Sequence, residues 1–222
     1  MNAQPDDLYV VAPSEQTMRY NDVIAQACMP VMLATASTPE GFDYIPDFLS
    51  PDKQEALLEI LQTLSYEHDV FRTKTMKRAG AYFGYAYRAE GQQLEPAPPI
   101  PPYLQEVIDK AAPYYPAGIA FAQCIVQFYC EGSGIGWHRD AKPFGDCILG
   151  VSLAAEARLR FRPKGETHPS FAVTASPGAL YVMEGTARWQ YEHQIMPVKK
   201  ERYSLTFRTV GGSPTKEVDN QE

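Results

Sequence analysis

Residues 136–140 read GWHRD and residues 189–193 read WQYEH, so two of the chain's four histidines, His138 and His193, stand with Asp140 in a set that can hold a metal ion. Side chains two apart on an extended segment share a face, so His138 and Asp140 can address one ion while Arg139 points away. Two imidazoles and a carboxylate cover one face of an octahedral iron and leave its other positions open to small molecules. An HxD triplet also arises by chance in a chain of this composition, and His193 alone reads equally as a hydrogen-bonded structural histidine. His68, in YEHDVF, and His168, in GETHPS, lack the spacing and are expected at the surface.

A second constellation lies in RYSLTFR, residues 202–208. Period-two alternation puts Arg202, Ser204, Thr206 and Arg208 on one face of a strand and Tyr203, Leu205 and Phe207 on the other. Two guanidiniums about 20 Å apart at the backbone, leaning toward each other, would leave a gap suited to a small dicarboxylate, which arginine grips bidentately. A solvated strand with two ordinary charges satisfies the same periodicity.

These residues need elements to position them. From about Ala79 the chain offers eight short β-type runs: AYFGYAY, IAFAQCIVQFY, CILGVSL, ARLRFR, SFAVTA, GALYVM, WQYEHQI and RYSLTFRTV. Their Gly and Pro punctuation predicts a mainly β, closed or two-sheet architecture such as a jelly roll. Two helices are expected to brace it. SPDKQEALLEILQTL begins with a capping Ser50 and with Pro51 at the first helical position, and Leu57, Leu58, Leu61 and Leu64 form its apolar stripe. PYLQEVIDKAA repeats Leu104, Val107, Ile108 and Ala111 at helical spacing, behind the rigid, extended PAPPIPP.

A length of 222 residues with 45% hydrophobic content suits one main domain, expected over 41–211, with a partly ordered extension over 1–40 and a disordered acidic tail over 212–222. No apolar run reaches membrane-spanning length and MNAQPDDLYV does not resemble a secretory leader, so the expectation is a soluble monomer in the cytoplasm, or the nucleus in a eukaryote, with no membrane partner. Four cysteines without a CxxC pair read as small core hydrophobes. The net charge of −7 argues against a general polyanion binder, yet residues 1–71 alone carry −10 and the remainder +3. The part that carries the motifs is mildly basic.

Taken together, these residues resemble the AlkB family of Fe(II)- and 2-oxoglutarate-dependent dioxygenases. The likeness runs from GFDYIPDFLS to TFRTV through FGYAY, VQFYCEGSGIGWHRD, ILGVSL, GALYVMEGTARWQYEH and RYSLTFR. It implies a double-stranded β-helix, the jelly roll braced by N-terminal helices, with His138, Asp140 and His193 as iron ligands. It further implies that Arg202 pairs with the distal carboxylate of 2-oxoglutarate and Arg208 with the end that chelates iron, with Tyr129 helping. Gln127 stands where the family usually has Asn, and Ser204 where some members do. The implied reaction consumes dioxygen and 2-oxoglutarate, hydroxylates an alkyl carbon on nitrogen, and ends in aldehyde and free base.

An alkylated base in DNA or RNA is then the implied substrate, and a base that leaves its stack is held by aromatic faces. Tyr85 stands where family members place a substrate-side tyrosine and Tyr87 shares its strand face, and their alternative is core or rim packing. RTKTMKR supplies Arg72, Lys74, Lys77 and Arg78 for phosphates, and RLRFRPK puts Arg158, Arg160 and Arg162 on one face with no intervening acid. Trp137 reads as packing beside a ligand. Lys142 stands where base-repair members carry an acid for an exocyclic amino group, and a cation cannot accept that hydrogen bond. This keeps open an oxygenase acting on tRNA, a protein side chain or a small molecule, and also a metal-binding β module without turnover.

Overall fold

The computed structural model describes residues 38–71, 74–88 and 93–211. The expected extension up to residue 37, the tail over 212–222 and Arg72 lie outside them.

Helix α1 (Pro51–Leu61) starts as its sequence dictates, with Ser50 accepting from the Lys53 amide at 3.3 Å and Pro51 in the first turn. Leu57 and Leu61 are buried, with Leu58 and Leu64 packed at the margin. Helix α2 (Pro102–Ala111) buries Leu104, Val107, Ile108 and Ala111, and a 3-10 turn (Ala112–Tyr114) follows it. A third helix, α3 (Gly185–Trp189), is a single turn.

The strands are β1 (Phe42–Ile45), β2 (Glu67–Phe71), β3 (Lys74–Phe83), β4 (Tyr85–Arg88), β5 (Gln93–Pro96), β6 (Gln123–Tyr129) and β7 (Ile135–His138), then β8 (Phe144–Leu153), β9 (Ala157–Pro163), β10 (Phe171–Ala175), β11 (Leu180–Met183), β12 (Tyr191–Ile195) and β13 (Arg202–Val210). Seven form one sheet in the order β1-β11-β8-β13-β6-β3-β2, four form a second in the order β10-β9-β12-β7, and β4 pairs with β5 alone. The expected run AYFGYAY is broken at Gly84, whose φ is +73° and where a Cβ would stand 1.9 Å from the Ala122 carbonyl oxygen. WQYEHQI is also divided, because Trp189 closes α3 and the strand starts only at Tyr191.

Strand β13 lies mid-sheet between β8 and β6. Its Tyr203, Leu205 and Phe207 join the cluster that holds the buried faces of α1 and α2. By alternation Arg202, Ser204, Thr206 and Arg208 face the other way, into the interior where Tyr129, Phe161 and Tyr181 cluster. Arg202 is 0% and Ser204 1% exposed, which excludes a solvated strand. The fold is the mainly β jelly roll with helices against one sheet that the β runs imply.

Candidate metal centre

His138 ends β7 and His193 lies directly opposite it on β12. Cross-strand partners on one face bring side chains within about 5 Å, and here the imidazole centroids are 4.3 Å apart. Asp140 follows two residues later and swings back, so that its Oδ2 is 3.6 Å from His193 Nε2. Ligand atoms of all three lie within 4.8 Å of one another. The three residues of the expected set are thus brought together in a group that could hold a metal ion.

The neighbours orient each of the three side chains. His138 Nδ1 is 2.9 Å from the Gly136 carbonyl oxygen. A carbonyl only accepts, so Nδ1 carries the proton and Nε2 is left for a metal. Arg208 Nε donates to Asp140 Oδ1 at 2.6 Å, leaving Oδ2 on the imidazole side. Burial would raise the Asp140 carboxyl, but the Arg208 guanidinium and the two imidazoles more than offset it and hold it well below the usual range. Burial, reinforced by His138, pushes the His193 imidazole down to about 3. Burial also lowers His138, against the pull of Asp140 and the Gly136 carbonyl. Two neutral imidazoles and one carboxylate are the protonation states a divalent cation requires.

A pH dependence follows. Histidines depressed in the folded state stabilise it above the unfolded value of about 6.5 and lose that contribution as pH falls through the folded value. Asp140, also depressed, acts in the same direction below about 4. Metal-free protein should therefore lose unfolding free energy steadily from about pH 6.5 toward the His193 value of about 3. Urea melts in chelator should show this slope and His193→Phe should flatten it, whereas a wild-type profile level down to about pH 4.5 would contradict neutral buried imidazoles.

At the other end of β13, Arg202 donates from Nε to Ser152 Oγ at 3.0 Å and stacks 5.0 Å from the Tyr129 ring centroid. Its Nη1 and Nη2 are buried without a hydrogen-bond partner among the described residues. Tyr129 donates its hydroxyl to Gln127 Oε1 at 3.0 Å, and both side chains sit beside β13 on β6. A buried guanidinium with two unused donors fits an acceptor group such as a carboxylate.

Sequence reasoning missed four participants. Gln123 accepts from Arg208 Nη1 at 3.0 Å. Ser152 is the partner of Arg202. Tyr181 lies on Gly150, where a Cβ would meet its ring at 1.9 Å, and its phenol is pushed up to about 12 by burial, with Arg202, Tyr129, Asp140 and Arg208 all within electrostatic range. Arg188 is 3% exposed and donates to four backbone carbonyls, of Asp140, Ala141, Phe144 and Gly145, at 3.0–3.2 Å. It clamps the loop that carries Asp140 to the helix that precedes His193. No sequence signal marks Arg188, since Glu184 and Glu192, four residues to either side, make an ion pair the plainer expectation.

Arg188→Met should cost about 3–5 kcal/mol, because several buried carbonyls lose their donor together. Mn(II) affinity should fall about ten- to a hundredfold. Urea melts and metal titration check both, and an unchanged metal affinity would make Arg188 a packing residue only.

The substrate-side expectations divide. Tyr87 reaches the site through Phe144, 5.7 Å between ring centroids, and Phe144 stacks under Arg208 at 4.7 Å. Tyr85 lies further along the same β4 face, opposite Pro96, and makes no ring contact with the site. Arg160 does not line the metal pocket. It lies across from Gln194, on the face opposite His193, where it donates to Met196 Sδ and stands 5.8 Å from the Trp137 ring. No acid intervenes within the stretch itself, but β12 brings Glu192 to Arg162 at 2.7 Å. Trp137 packs there, 4.3 Å from Arg162.

The profile of the 2OG-Fe(II) oxygenase superfamily matches residues 41–208. The chain belongs to this superfamily. Its members use Fe(II), 2-oxoglutarate and dioxygen, and the chain is an AlkB-like dioxygenase of that kind. It is 28% identical over 170 residues to tRNA (carboxymethyluridine(34)-5-O)-methyltransferase alkbh8 of Xenopus tropicalis, covering 73% of this chain and 26% of that protein. It is 25% identical over 147 residues to RNA demethylase ALKBH9B of Arabidopsis thaliana, covering 60% of this chain and 29% of that one. The chain thus spans less than a third of either relative. The solved structure of OsALKBH1 superposes with a TM-score of 0.65 at 17% identity, over 78% of this chain and 98% of that one, which shows a shared oxygenase fold. Among the described residues no helix is long and apolar enough to cross a membrane.

Proposed function

We propose that this dioxygenase removes an alkyl group from a base nitrogen in RNA or DNA. The observation that carries the site assignment is the buried Arg202 guanidinium with two unused donors, on the same face of β13 as Arg208 and hence of the metal cluster. On this reading Arg202 holds the distal carboxylate of 2-oxoglutarate, with Tyr129, Gln127 and Tyr181 around it. His138, Asp140 and His193 hold the iron, and Arg208 fixes Asp140 while facing the chelating end of the co-substrate.

The chemistry that bound Fe(II) and 2-oxoglutarate would supply is activation of dioxygen, the oxidant: one oxygen atom enters 2-oxoglutarate as it loses carbon dioxide to become succinate, and the other becomes the hydroxyl on the substrate carbon. The chain's own groups orient and exclude water. Phe144 and Phe161 wall the cluster with apolar surface, and Tyr87, with Tyr85 beyond it, offers aromatic faces for the flipped base. Hydroxylation at the carbon attached to nitrogen leaves a hemiaminal, which falls apart to an aldehyde and the free base.

Two relatives whose names state tRNA and RNA chemistry support a nucleic-acid substrate. Lys142, exposed two residues beyond Asp140, donates only, so it cannot accept from an exocyclic amino group. Incubation of a panel of alkylated DNA and RNA oligonucleotides with protein, Fe(II), 2-oxoglutarate and ascorbate, read by mass spectrometry, tests this. Loss of the alkyl mass with stoichiometric succinate is the expected result. Succinate released without any change in an oligonucleotide would move the substrate outside nucleic acid.

A further inference from the structure

Both tryptophans of the chain stand beside metal ligands, Trp137 next to His138 and Trp189 four positions before His193. The first has its ring covered by Arg162 at 4.3 Å. The second is 36% exposed and, with Ile60 and Tyr114, is one of three large hydrophobic side chains at the surface among the described residues.

An exposed indole alone means little, but this one is fixed from three directions. Its Nε1–H donates to Asp146 Oδ1 at 2.9 Å, its backbone carbonyl accepts from Arg139 Nη1 at 2.9 Å, and the Arg188 guanidinium lies 4.1 Å from its ring. Arg188 directs its N–H donors, all in the guanidinium plane, to backbone carbonyls, so the plane cannot turn and its face is left to stack. A ring immobilised in this way and backed by a cation is preorganised for a flat aromatic partner, since little side-chain freedom remains to be lost on binding. Its surroundings suit an anionic one. Arg139 and the exposed Lys142 lie in the same loop and make no ion pair among the described residues, while Asp146, which keeps its charge, is turned to the indole N–H.

We propose that Trp189 is a stacking platform for a base neighbouring the reacting one in a single-stranded nucleic acid, with Arg139 and Lys142 contacting the adjoining phosphates. The proposal rests on the nucleic-acid reading above and adds where the strand lies. Stacking on an indole tolerates any base, so the platform would grip the strand without dictating its sequence.

The Trp137→Phe protein keeps Trp189 as its single indole, so its emission reports the platform directly. An unmodified oligouridylate of about ten nucleotides should quench that emission as it binds, binding being followed separately by anisotropy of an end-labelled copy. Trp189→Ala should weaken binding about tenfold and Trp189→Phe much less. Binding of Mn(II) and 2-oxoglutarate should be unmoved in both. Lys142→Ala should flatten the dependence of log affinity on log salt by about 0.7, the single-strand value for one phosphate contact. Binding with unchanged emission, and with Trp189→Ala as tight as wild type, would overturn the platform and leave the nucleic-acid reading standing. No binding at any salt concentration would overturn both.

Discussion

Asp140→Ala should lose succinate release entirely and should also destabilise the fold by about 3–5 kcal/mol. Both effects follow from one carboxylate with two duties. Oδ2 faces the imidazoles and Oδ1 accepts from Arg208 at 2.6 Å, with side chains only 4% and 14% exposed. On the proposed assignment, removing the acid deletes a metal ligand, and it strands a largely buried guanidinium whose remaining neutral partner is Gln123. The two duties can be separated. Asp140→Ala combined with Arg208→Leu should regain part of the stability, because the uncompensated charge is gone, yet no succinate. Urea melts and a coupled succinate assay read the pair. Activity in the single variant, or stability equal to wild type, would remove Asp140 from the role assigned to it.

Arg202→Met should have effects of opposite sign on binding and stability. The affinity for 2-oxoglutarate, measured calorimetrically with Mn(II) in place of iron, should fall by a hundredfold or more, roughly what losing one side of a buried charge pair costs. The ligand-free protein should be as stable as wild type or more so. Arg202 there keeps two donors buried without partners and gains one bond to Ser152, so a flexible apolar chain of similar length relieves an unmet desolvation cost. Site residues often carry such a burden for function. A variant that binds 2-oxoglutarate normally but unfolds more easily would make Arg202 a structural residue.

What could be read from sequence were the features that repeat with a short period. The HxD spacing, the alternation along β13 and the stripes of α1 and α2 depend on two or four residues at a time, so their geometry is local. The partners of those residues are not local. Gln123 meets Arg208 only because β6 pairs with β13 in one register, and Glu192 neutralises Arg162 only because β12 lies beside β9. Trp189 shows a different limit. Its β-type neighbours predict a strand, but a one-turn helix intervenes, stitched to the loop before β8 by Arg188. Side chain to backbone bonds of that kind have no sequence signature.

The facing of His138 and His193 has a mechanical consequence. Strand β7 is four residues long and sits at the rim of its sheet, with β12 as its only neighbouring strand among the described residues and an irregular register beside the two histidines. An ion shared by the pair would act as a rivet across roughly fifty residues of intervening chain, and closing so long a loop is where a cross-link most reduces the freedom of the unfolded chain. The catalytic metal would then also guard a rim that could otherwise peel away and recruit a neighbouring molecule.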